Sequence, residues 1–304
     1  MTIVVSNAAT SPKACTPLPA ASKERSHAAM AWRQLRKHRL ALAGIVVLAV
    51  LCVSAIAAPL SPYDANRTNM AERFQPPSLV HPMGTDDLGR DEATRVMLGG
   101  RLSLSVGLLA VALSVMVGTL VGAFAGYFGG VVDSLLMRLT EMFIAFPPLF
   151  ILILLAALFG TSVWTIVLVV GLLRWMLVAR LVRAAYLQLK QLEFVTAGRA
   201  LGATTPQLMW RHILPNAVSP LIVAATLGVA GAILTESTLS FLGLGIQLPT
   251  ATWGNMLRAA QTNMTTAPWL AVFPGLFIFL TILSINYVGD GLRDALDPRH
   301  HPIT

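Results

Sequence analysis

Six apolar stretches, each about 20 residues long, constrain the fold more than any other feature of this sequence. They lie at residues 40–60, 102–126, 139–158, 163–182, 218–236 and 269–288. A helix needs about 20 apolar residues to cross the hydrocarbon core of a bilayer, and buried helices of soluble proteins are usually shorter. Only 12% of the 304 residues are charged, against roughly 25% in a typical soluble domain. The sequence therefore predicts an all-α integral membrane protein with six transmembrane helices, and it excludes a soluble enzyme, a disordered chain and a disulfide scaffold.

The distribution of Lys and Arg indicates how these spans are oriented. Residues 1–39 contain seven Lys or Arg and one acid, Glu24. With the amino terminus inside, the inner segments contain fifteen Lys or Arg and the outer segments six. Membrane proteins carry their excess Lys and Arg on the cytoplasmic side, so both termini are expected there. The first apolar stretch lies too far from the start to be a signal peptide, and we interpret it as a retained span.

The spans and the segments between them divide the chain into five parts. These are a cytoplasmic basic tail (1–39), the first transmembrane helix (40–60), an outer segment (61–101), a five-helix transmembrane domain (102–290) that includes a cytoplasmic loop (183–217), and a cytoplasmic carboxy-terminal tail (291–304). Cys15 lies in the polar tail and Cys52 within an apolar stretch, so no disulfide or metal site is expected.

Small residues in the second span indicate close helix packing. Gly118, Gly122 and Gly126 are four residues apart and share one helix face, so a neighbouring helix can approach closely. General packing is the main interpretation, and a subunit interface is the alternative.

Prolines within the spans predict bends. Pro147 and Pro148 lie in the third span and Pro274 in the sixth. Each removes a backbone donor, which can kink a helix. A static kink and a hinge both remain open.

Three charged residues, Glu141, Arg174 and Glu236, lie in or at the end of apolar stretches. An unpaired arginine at the centre of a span costs about 2.5–3.5 kcal/mol on insertion scales. Arg174 lies about two turns from the inner end of the fourth span. It either extends to the lipid headgroups or lines a watery pathway, where it would contact substrate or Glu141. Glu236, at the outer end of the fifth span, is a candidate for an outer gate.

The cytoplasmic loop carries the strongest functional signal. Residues 193–203 read EFVTAGRALGA, which favours a helix with little side-chain bulk. Gly202 suits the position after a helix end. Thr205 and Pro206 suit the N-cap and first position of a second helix, which Pro215 is expected to end. A helix surface of small residues can dock into a partner's cleft, and a plain connector is the alternative.

This loop resembles the coupling loop, or EAA loop, of ABC importer permeases in the version used by dipeptide and oligopeptide permeases. The residues that carry the resemblance are Glu193, Ala197, Gly198, Arg199, Gly202, Leu214 and Pro215, with Gly198 in place of the family's second alanine. Other segments resemble the family in the same order: HPMGTDDLGRD (81–91), ARLVRA (179–184), LSFLGLG (239–245), TWGNML (252–257) and GDGLRDALDPR (289–299). Two residues depart from the pattern: Glu141 stands where relatives usually have Asp, and Arg174 where a small or neutral residue is expected.

The resemblance implies the six-helix type I ABC importer permease (MetI-like) fold, in the second-permease type of the dipeptide, oligopeptide and nickel permease family. It implies a place in a bacterial inner membrane, two separate ATPase subunits that use ATP and Mg, a second and usually different permease, and an extracytoplasmic solute-binding protein. The chain itself would then bind no cofactor, metal or nucleic acid and contain no catalytic residue. The sequence has no GxxxxGK[ST] phosphate loop and no HExxH motif, in keeping with that expectation.

Alternatives remain within and outside this class. Import of nickel chelates, glutathione or another small solute uses the same motifs. An ion-driven secondary transporter should show paired intramembrane acids and inverted repeats, which we do not find. The outer segments, 61–101 and 237–268, are expected to dock the binding protein. The first carries both signs of charge, and the second contains Trp253, Asn255 and Arg258 in an amphipathic pattern.

Overall fold

The computed structural model of the chain describes residues 34–296. Every regular element in that range is helical, apart from one isolated bridge between Thr85 and Asp91. Most of the predicted basic tail, including Cys15 and Glu24, lies outside the described residues, as do residues 297–304.

The helices in chain order are α1 (Arg39–Ala57), α2 (Glu92–Phe128), α3 (Gly130–Ala145), α4 (Pro148–Phe159), α5 (Val163–Leu172), α6 (Trp175–Leu189), α7 (Glu193–Ala200), α8 (Leu214–Phe241), α9 (Trp253–Ala260) and α10 (Trp269–Leu296). A π-helical segment, Gln207–Ile213, leads directly into α8. Within the described residues, five helical stretches are long and apolar enough to cross a membrane, and the bent pair α3–α4 is a candidate for a sixth. The predicted all-helical membrane fold is confirmed.

The direction of α6 decides that α3–α4 is a crossing. A Cβ added at Gly118 would lie 2.6 Å from the Trp175 carbonyl oxygen, and one at Gly126 would lie 2.5 Å from the Tyr186 Cβ. Residues later in α2 therefore contact residues later in α6, so the two helices are parallel. Parallel helices in one membrane begin on the same side, and the chain between them must return across it. The structure thus supports six crossings.

Two other pairs of spans are antiparallel. Gly107 of α2 faces Ile233 of α8, whereas Val111 lies against Gly228, so the contacts run in opposite directions. In the same way α1 and α10 pair Gly44 with Ser284 at mid-length and Ala41 with Gly291 at their ends. Residues 34 and 296 consequently lie on one side of the membrane, which we call the inner side after the predicted orientation.

The third predicted span is not one helix. Residues 139–158 were expected to form a continuous crossing, but α3 and α4 meet at a bend of 86°. Phe146 and Pro147 are both extended, with ψ values of 134° and 121°. The residue before a proline is sterically excluded from the helical region, and two successive prolines apply that constraint twice. The predicted kink is therefore a complete break.

Two other predicted spans differ from the structure: the second was predicted too short, and the fourth contains an interruption that was not predicted. α2 begins at Glu92, ten positions before the predicted start, because the Asp91 carboxylate caps it by accepting from the Thr94 N–H at 2.8 Å. The fourth span is interrupted at Leu173 and Arg174, between α5 and α6. Pro274 does not break α10, since it lies near the start of that helix.

Candidate functional site

The inner loop contains the short helix α7, which ends as the sequence predicts. Gly202 has φ +85°, a left-handed conformation that favours glycine. Its N–H donates to the Arg199 carbonyl at 3.0 Å, and the Ala203 N–H donates to the Gly198 carbonyl at 3.0 Å. This pair of bonds is a Schellman motif, which satisfies carbonyls that the helix end would leave free. A Cβ at Gly202 would find no atom within 4 Å, so the position is open to a partner.

One face of α7 is held against the protein and the other is free. Val195 is buried, and a Cβ at Gly198 would lie 3.3 Å from Leu208 of the π segment. The remaining predicted loop residues of α7 and its end, Glu193, Ala197, Arg199 and Gly202, are exposed. Leu201 is 89% exposed beside them. The inner tip therefore presents small and apolar groups to the solvent, as a docking surface does.

Three side chains fasten the inner end of α6 to its neighbours. The Tyr186 hydroxyl donates to the Met209 carbonyl at 2.9 Å, and the Lys190 Nζ donates to the Gly126 carbonyl at 2.7 Å. Arg183 forms a bidentate pair with Asp133 of α3, at 2.5 and 2.7 Å. These inner-end ties connect α6 with α2, α3 and the π segment.

The second helix of the loop differs from the prediction at both ends. It begins one residue earlier than expected: the Thr204 carbonyl accepts from the Leu208 N–H, and the Gln207 side chain accepts from the Thr204 N–H. Thr204, and not Thr205, is the N-cap. Pro215 does not end the helix, since the π segment continues into α8. A π turn is wider than an α turn, and the Leu214 N–H bonds back to Met209 just before the proline, which itself needs no acceptor.

The predicted glycine face lies along α6. A Cβ at Gly118 or Gly126 would lie within 2.6 Å of α6 atoms. One at Gly122 would collide with the Ala179 carbonyl oxygen and lie 2.8 Å from the Val182 Cβ. All of these contacts are within the chain, so the glycines allow α2 and α6 to pack at backbone distance.

The intramembrane charges do not form one cluster. Glu141 is exposed on α3, and within residues 34–296 no ion pair joins it to Arg174. Arg174 occupies the break between α5 and α6, with its guanidinium against Gly231 of α8. Their roles in a pathway stay predictions.

Glu236 is completely buried among hydroxyl groups at the outer ends of the helices. Its carboxylate accepts from Ser240 at 2.8 Å and from Ser103 of α2 at 3.1 Å. The Ser103 oxygen lies 3.4 Å from the Trp253 N–H at the start of α9. Glu236 therefore links α8, α2 and α9, and its proposed role in an outer gate stays a prediction.

Several charges of the outer segment, which was expected to offer both signs of charge to a partner, are buried and pair within the chain. Asp86 is buried, accepts from Arg90 Nε at 2.6 Å and lies 3.6 Å from Arg95 Nε. His81 Nδ1 lies 2.9 Å from Asp91 Oδ1, and both residues are buried. A short segment lacks a large apolar core, so charged pairs and caps fix its shape. Asp64, Arg67, Arg73 and Arg101 stay exposed, and the Glu72 and Asp87 side chains are 39% and 45% exposed.

The helix α9 is also more internal than expected. Trp253 is 1% exposed and donates to the Val96 carbonyl at 2.9 Å. Asn255 is buried too, and its amide donates to the Ile246 and Thr250 carbonyls at 2.9 and 2.8 Å. Arg258 is exposed. Trp253 and Asn255 thus anchor the outer loop and do not form a docking surface.

A family comparison decides what kind of protein carries this arrangement. The model of the "binding-protein-dependent transport system inner membrane component" family matches residues 118–301, more than half of the chain. The chain belongs to this family. A second model, the N-terminal TM domain of oligopeptide transport permease C, matches residues 26–77 of the permease.

Relatives of the permease are similar over most of its length. The dipeptide transport system permease protein DppC of Bacillus subtilis is 43% identical over 271 residues, 88% of this chain and 85% of that protein. The oligopeptide transport system permease protein OppC of the same organism is 41% identical, over 88% of each chain. The glutathione transport system permease protein GsiD of Pectobacterium atrosepticum is 41% identical, over 88% of this chain and 90% of that protein.

Solved structures agree on the fold. The inward-facing MetNI methionine ABC transporter aligns with a TM-score of 0.53 at 17% identity, covering 67% of the permease and 96% of that chain. An amino acid ABC transporter solved with histidines gives a TM-score of 0.51 at 17% identity, over 66% and 92% of the two chains. The permease therefore has the predicted type I, MetI-like fold.

The outer side of the permease contains a cavity that sequence analysis missed. It measures about 300 Å³ and lies between the outer part of α2 and the loop before α9. Its lining includes Asn66, Leu98, Arg101, Ser105 and Thr250. Residues this far apart in sequence give no local signal, and only the position of Arg101 at the outer end of an apolar stretch pointed towards this surface.

Proposed function

We propose that this chain is a permease subunit of an ATP-driven importer and forms half of the pathway for dipeptides or oligopeptides across a bacterial inner membrane. The identity of more than 40% with permeases named for dipeptide and oligopeptide transport carries the proposal. The inner loop supports it, because one face of α7 is exposed while the other packs against the π segment that leads into α8.

Energy for transport comes from two ATPase subunits, one of which docks on α7 of this chain and the other on the second permease. Each would use ATP and Mg, while the chain described here binds no cofactor and catalyses no reaction. The exposed residues Glu193, Ala197 and Leu201 form the contact surface. Docking on this face places the ATPases in the cytoplasm, as the orientation predicted from Lys and Arg requires.

The pathway itself requires a second permease. α3 supports this, because Thr140 is the one α3 residue that is buried within the described chain. A solute-binding protein delivers the solute on the opposite side, where the cavity lined by Arg101 opens.

Glutathione import is the second candidate, because GsiD is as similar as OppC. Glutathione is itself a modified tripeptide, so both candidates predict a pathway for a small, charged, peptide-like solute. Nickel chelates and ion-driven transport have no matching observation in the structure.

The proposal is tested by isolating the complex and reconstituting it. Purification in mild detergent should recover the chain with a second permease and ATPase subunits, identified by mass spectrometry. In proteoliposomes with the cognate binding protein, ATP should drive accumulation of labelled di- or tripeptides. Uptake that is independent of ATP but dependent on an ion gradient would contradict the proposal.

A substitution at the loop tip tests the coupling role of α7. Gly202→Trp should lower ATP-driven uptake at least tenfold and weaken ATPase association, because the indole occupies a docking surface that is now open. The measurement is uptake together with the ATPase-to-permease ratio of the purified complex.

Gly130→Trp is a matched control for that substitution. Gly130 also has positive φ (+52°), no atom within 4 Å of an added Cβ, and a position at the inner end of a span. Both variants strain the backbone similarly, so uptake should remain near wild type in the control. Equal loss of uptake in both variants would remove the assignment of α7 as the coupling element.

A further inference from the structure

Arg174 is a cation placed deep in the membrane. It lies eleven residues after the start of α5 and eight before Val182, where the apolar stretch ends. At about 1.5 Å per residue these separations are about 16 Å and 12 Å. An arginine side chain is shorter than either distance, so its charge does not reach the headgroups by extending along the helix.

Nothing in the described chain neutralises this charge. Among residues 34–296 the Arg174 side chain has no ion pair and no hydrogen bond. Arg174 lies between the carboxy end of α5 and the amino end of α6, whose partial charges have opposite sign, so the helix ends add little net compensation. A charge at this depth facing lipid costs about 2.5–3.5 kcal/mol on insertion scales, so a polar environment outside this chain is favoured.

The surroundings hold the guanidinium in one place. A Cβ at Gly231 would collide with one Arg174 Nη and lie 2.9 Å from its Cζ. The absence of a side chain at that position therefore provides the space in which the guanidinium lies against α8. The residue is only half-buried, so its other side is open at the surface of the chain.

We propose that Arg174 binds a carboxylate of the transported solute as it passes between this chain and the second permease. The inference rests on the proposed function and adds to it a preference for solutes that carry a free carboxylate. A guanidinium presents paired N–H groups that match the two oxygens of a carboxylate. The carboxyl end of a peptide supplies that group in every peptide regardless of its sequence.

The experiment compares two solutes in the reconstituted complex. Uptake of a labelled tripeptide with a free carboxylate is measured against uptake of its carboxy-terminal amide, with saturating binding protein and ATP. The quantity of interest is the ratio of the two uptake rates, because the binding protein's own preference is the same for all permease variants.

Arg174→Gln should lower the ratio of acid to amide uptake at least tenfold, mainly by slowing the acid. Arg174→Lys keeps the charge without the paired donors and should lower the ratio less. Arg180→Gln, on the exposed part of the same helix, removes an equal charge and should leave the ratio within twofold of wild type.

The outcomes separate this inference from the proposed function. An unchanged ratio in both Arg174 variants, or equal loss of both solutes, would show a structural or lipid-facing role and overturn the inference alone. If Arg174→Gln does not assemble, the ratio in Arg174→Lys decides, and a wild-type value overturns the inference. Absence of ATP-driven peptide uptake in the wild-type complex overturns the proposed function itself.

Discussion

Replacing Asp86 with alanine should destabilise the folded permease by about 3–5 kcal/mol, because two buried guanidinium groups would lose their shared carboxylate. Asp86 accepts hydrogen bonds from the Leu88 and Arg90 N–H groups, each at 2.9 Å, in addition to its pairing with Arg90 Nε and with Arg95. Arg90 and Arg95 are 6% and 2% exposed, so water cannot replace the lost partner. The measurement is the temperature at which the purified protein loses its monodisperse chromatographic peak.

Asp87→Ala is the matched control. The Asp87 carboxylate lies 3.7 Å from Arg90 Nη2, but its side chain is 45% exposed. Exposed pairs contribute about 0–1 kcal/mol, so this variant should unfold close to the wild-type temperature. Similar shifts for Asp86→Ala and Asp87→Ala would show that the buried cluster does not hold the outer segment.

Replacing Gly122 with alanine should destabilise the protein by about 1–3 kcal/mol, because one methyl group cannot fit between α2 and α6. The added Cβ would collide with the Ala179 carbonyl oxygen and lie 3.0 Å from the Arg183 nitrogen. These are backbone atoms, which cannot rotate away as a side chain can. The two helices must separate, and packing at Gly118 and Gly126 weakens with them. Thermal unfolding of the purified protein measures the effect.

Gly275→Ala provides the comparison for this substitution. Gly275 also lies inside a transmembrane helix, but an added Cβ would be 3.8 Å from the nearest atom, Leu257 Cδ2. That distance is an ordinary van der Waals contact. The control should unfold at or slightly above the wild-type temperature, since alanine favours a helix more than glycine does. If Gly122→Ala behaves like the control, the contact between α2 and α6 is looser than the structure shows.

The sequence was sufficient to predict the number of apolar segments, because the bilayer imposes a minimum length on each. It was also sufficient for the face formed by Gly118, Gly122 and Gly126, since a spacing of four is a local property of a helix. The end of α7 at Gly202 followed from local backbone chemistry in the same way.

Breaks and extensions of the helices were harder to predict. The interruption at Arg174 has no proline, and the helix α2 continues outward because Asp91 caps it beyond the apolar stretch. Hydropathy predicts which part of a helix lies in lipid, but it does not predict where the helix ends. Pro215 misled the prediction because a π turn accommodates a proline that an α-helix would exclude.

Tertiary partners were outside the reach of sequence reasoning. Trp253 and Asn255 lie in an amphipathic pattern that fits a surface helix as well as a buried one. The burial of Trp253 against Val96 is a contact between residues far apart in sequence, which the local pattern does not predict. Asp86, Arg90 and Arg95 had the same appearance as solvated charges. Ser240 lies one turn after Glu236 on the same helix, whereas Ser103 comes from α2, so no local motif marks the complete set of hydroxyl groups around Glu236.

The inner-end ties have a mechanical consequence. When two elastic elements are loaded in series, the softer one takes up most of the displacement. A displacement of α7 therefore reaches the transmembrane helices only if the contacts between α7 and those helices are stiff. The bond from Tyr186 to Met209 joins the two sides of the loop, and the bond from Lys190 to Gly126 joins the loop to α2, which leaves little compliance there. Because Arg183 is paired with Asp133, a movement of a few ångströms at the tip would then shift α3 together with α2, α6 and α8.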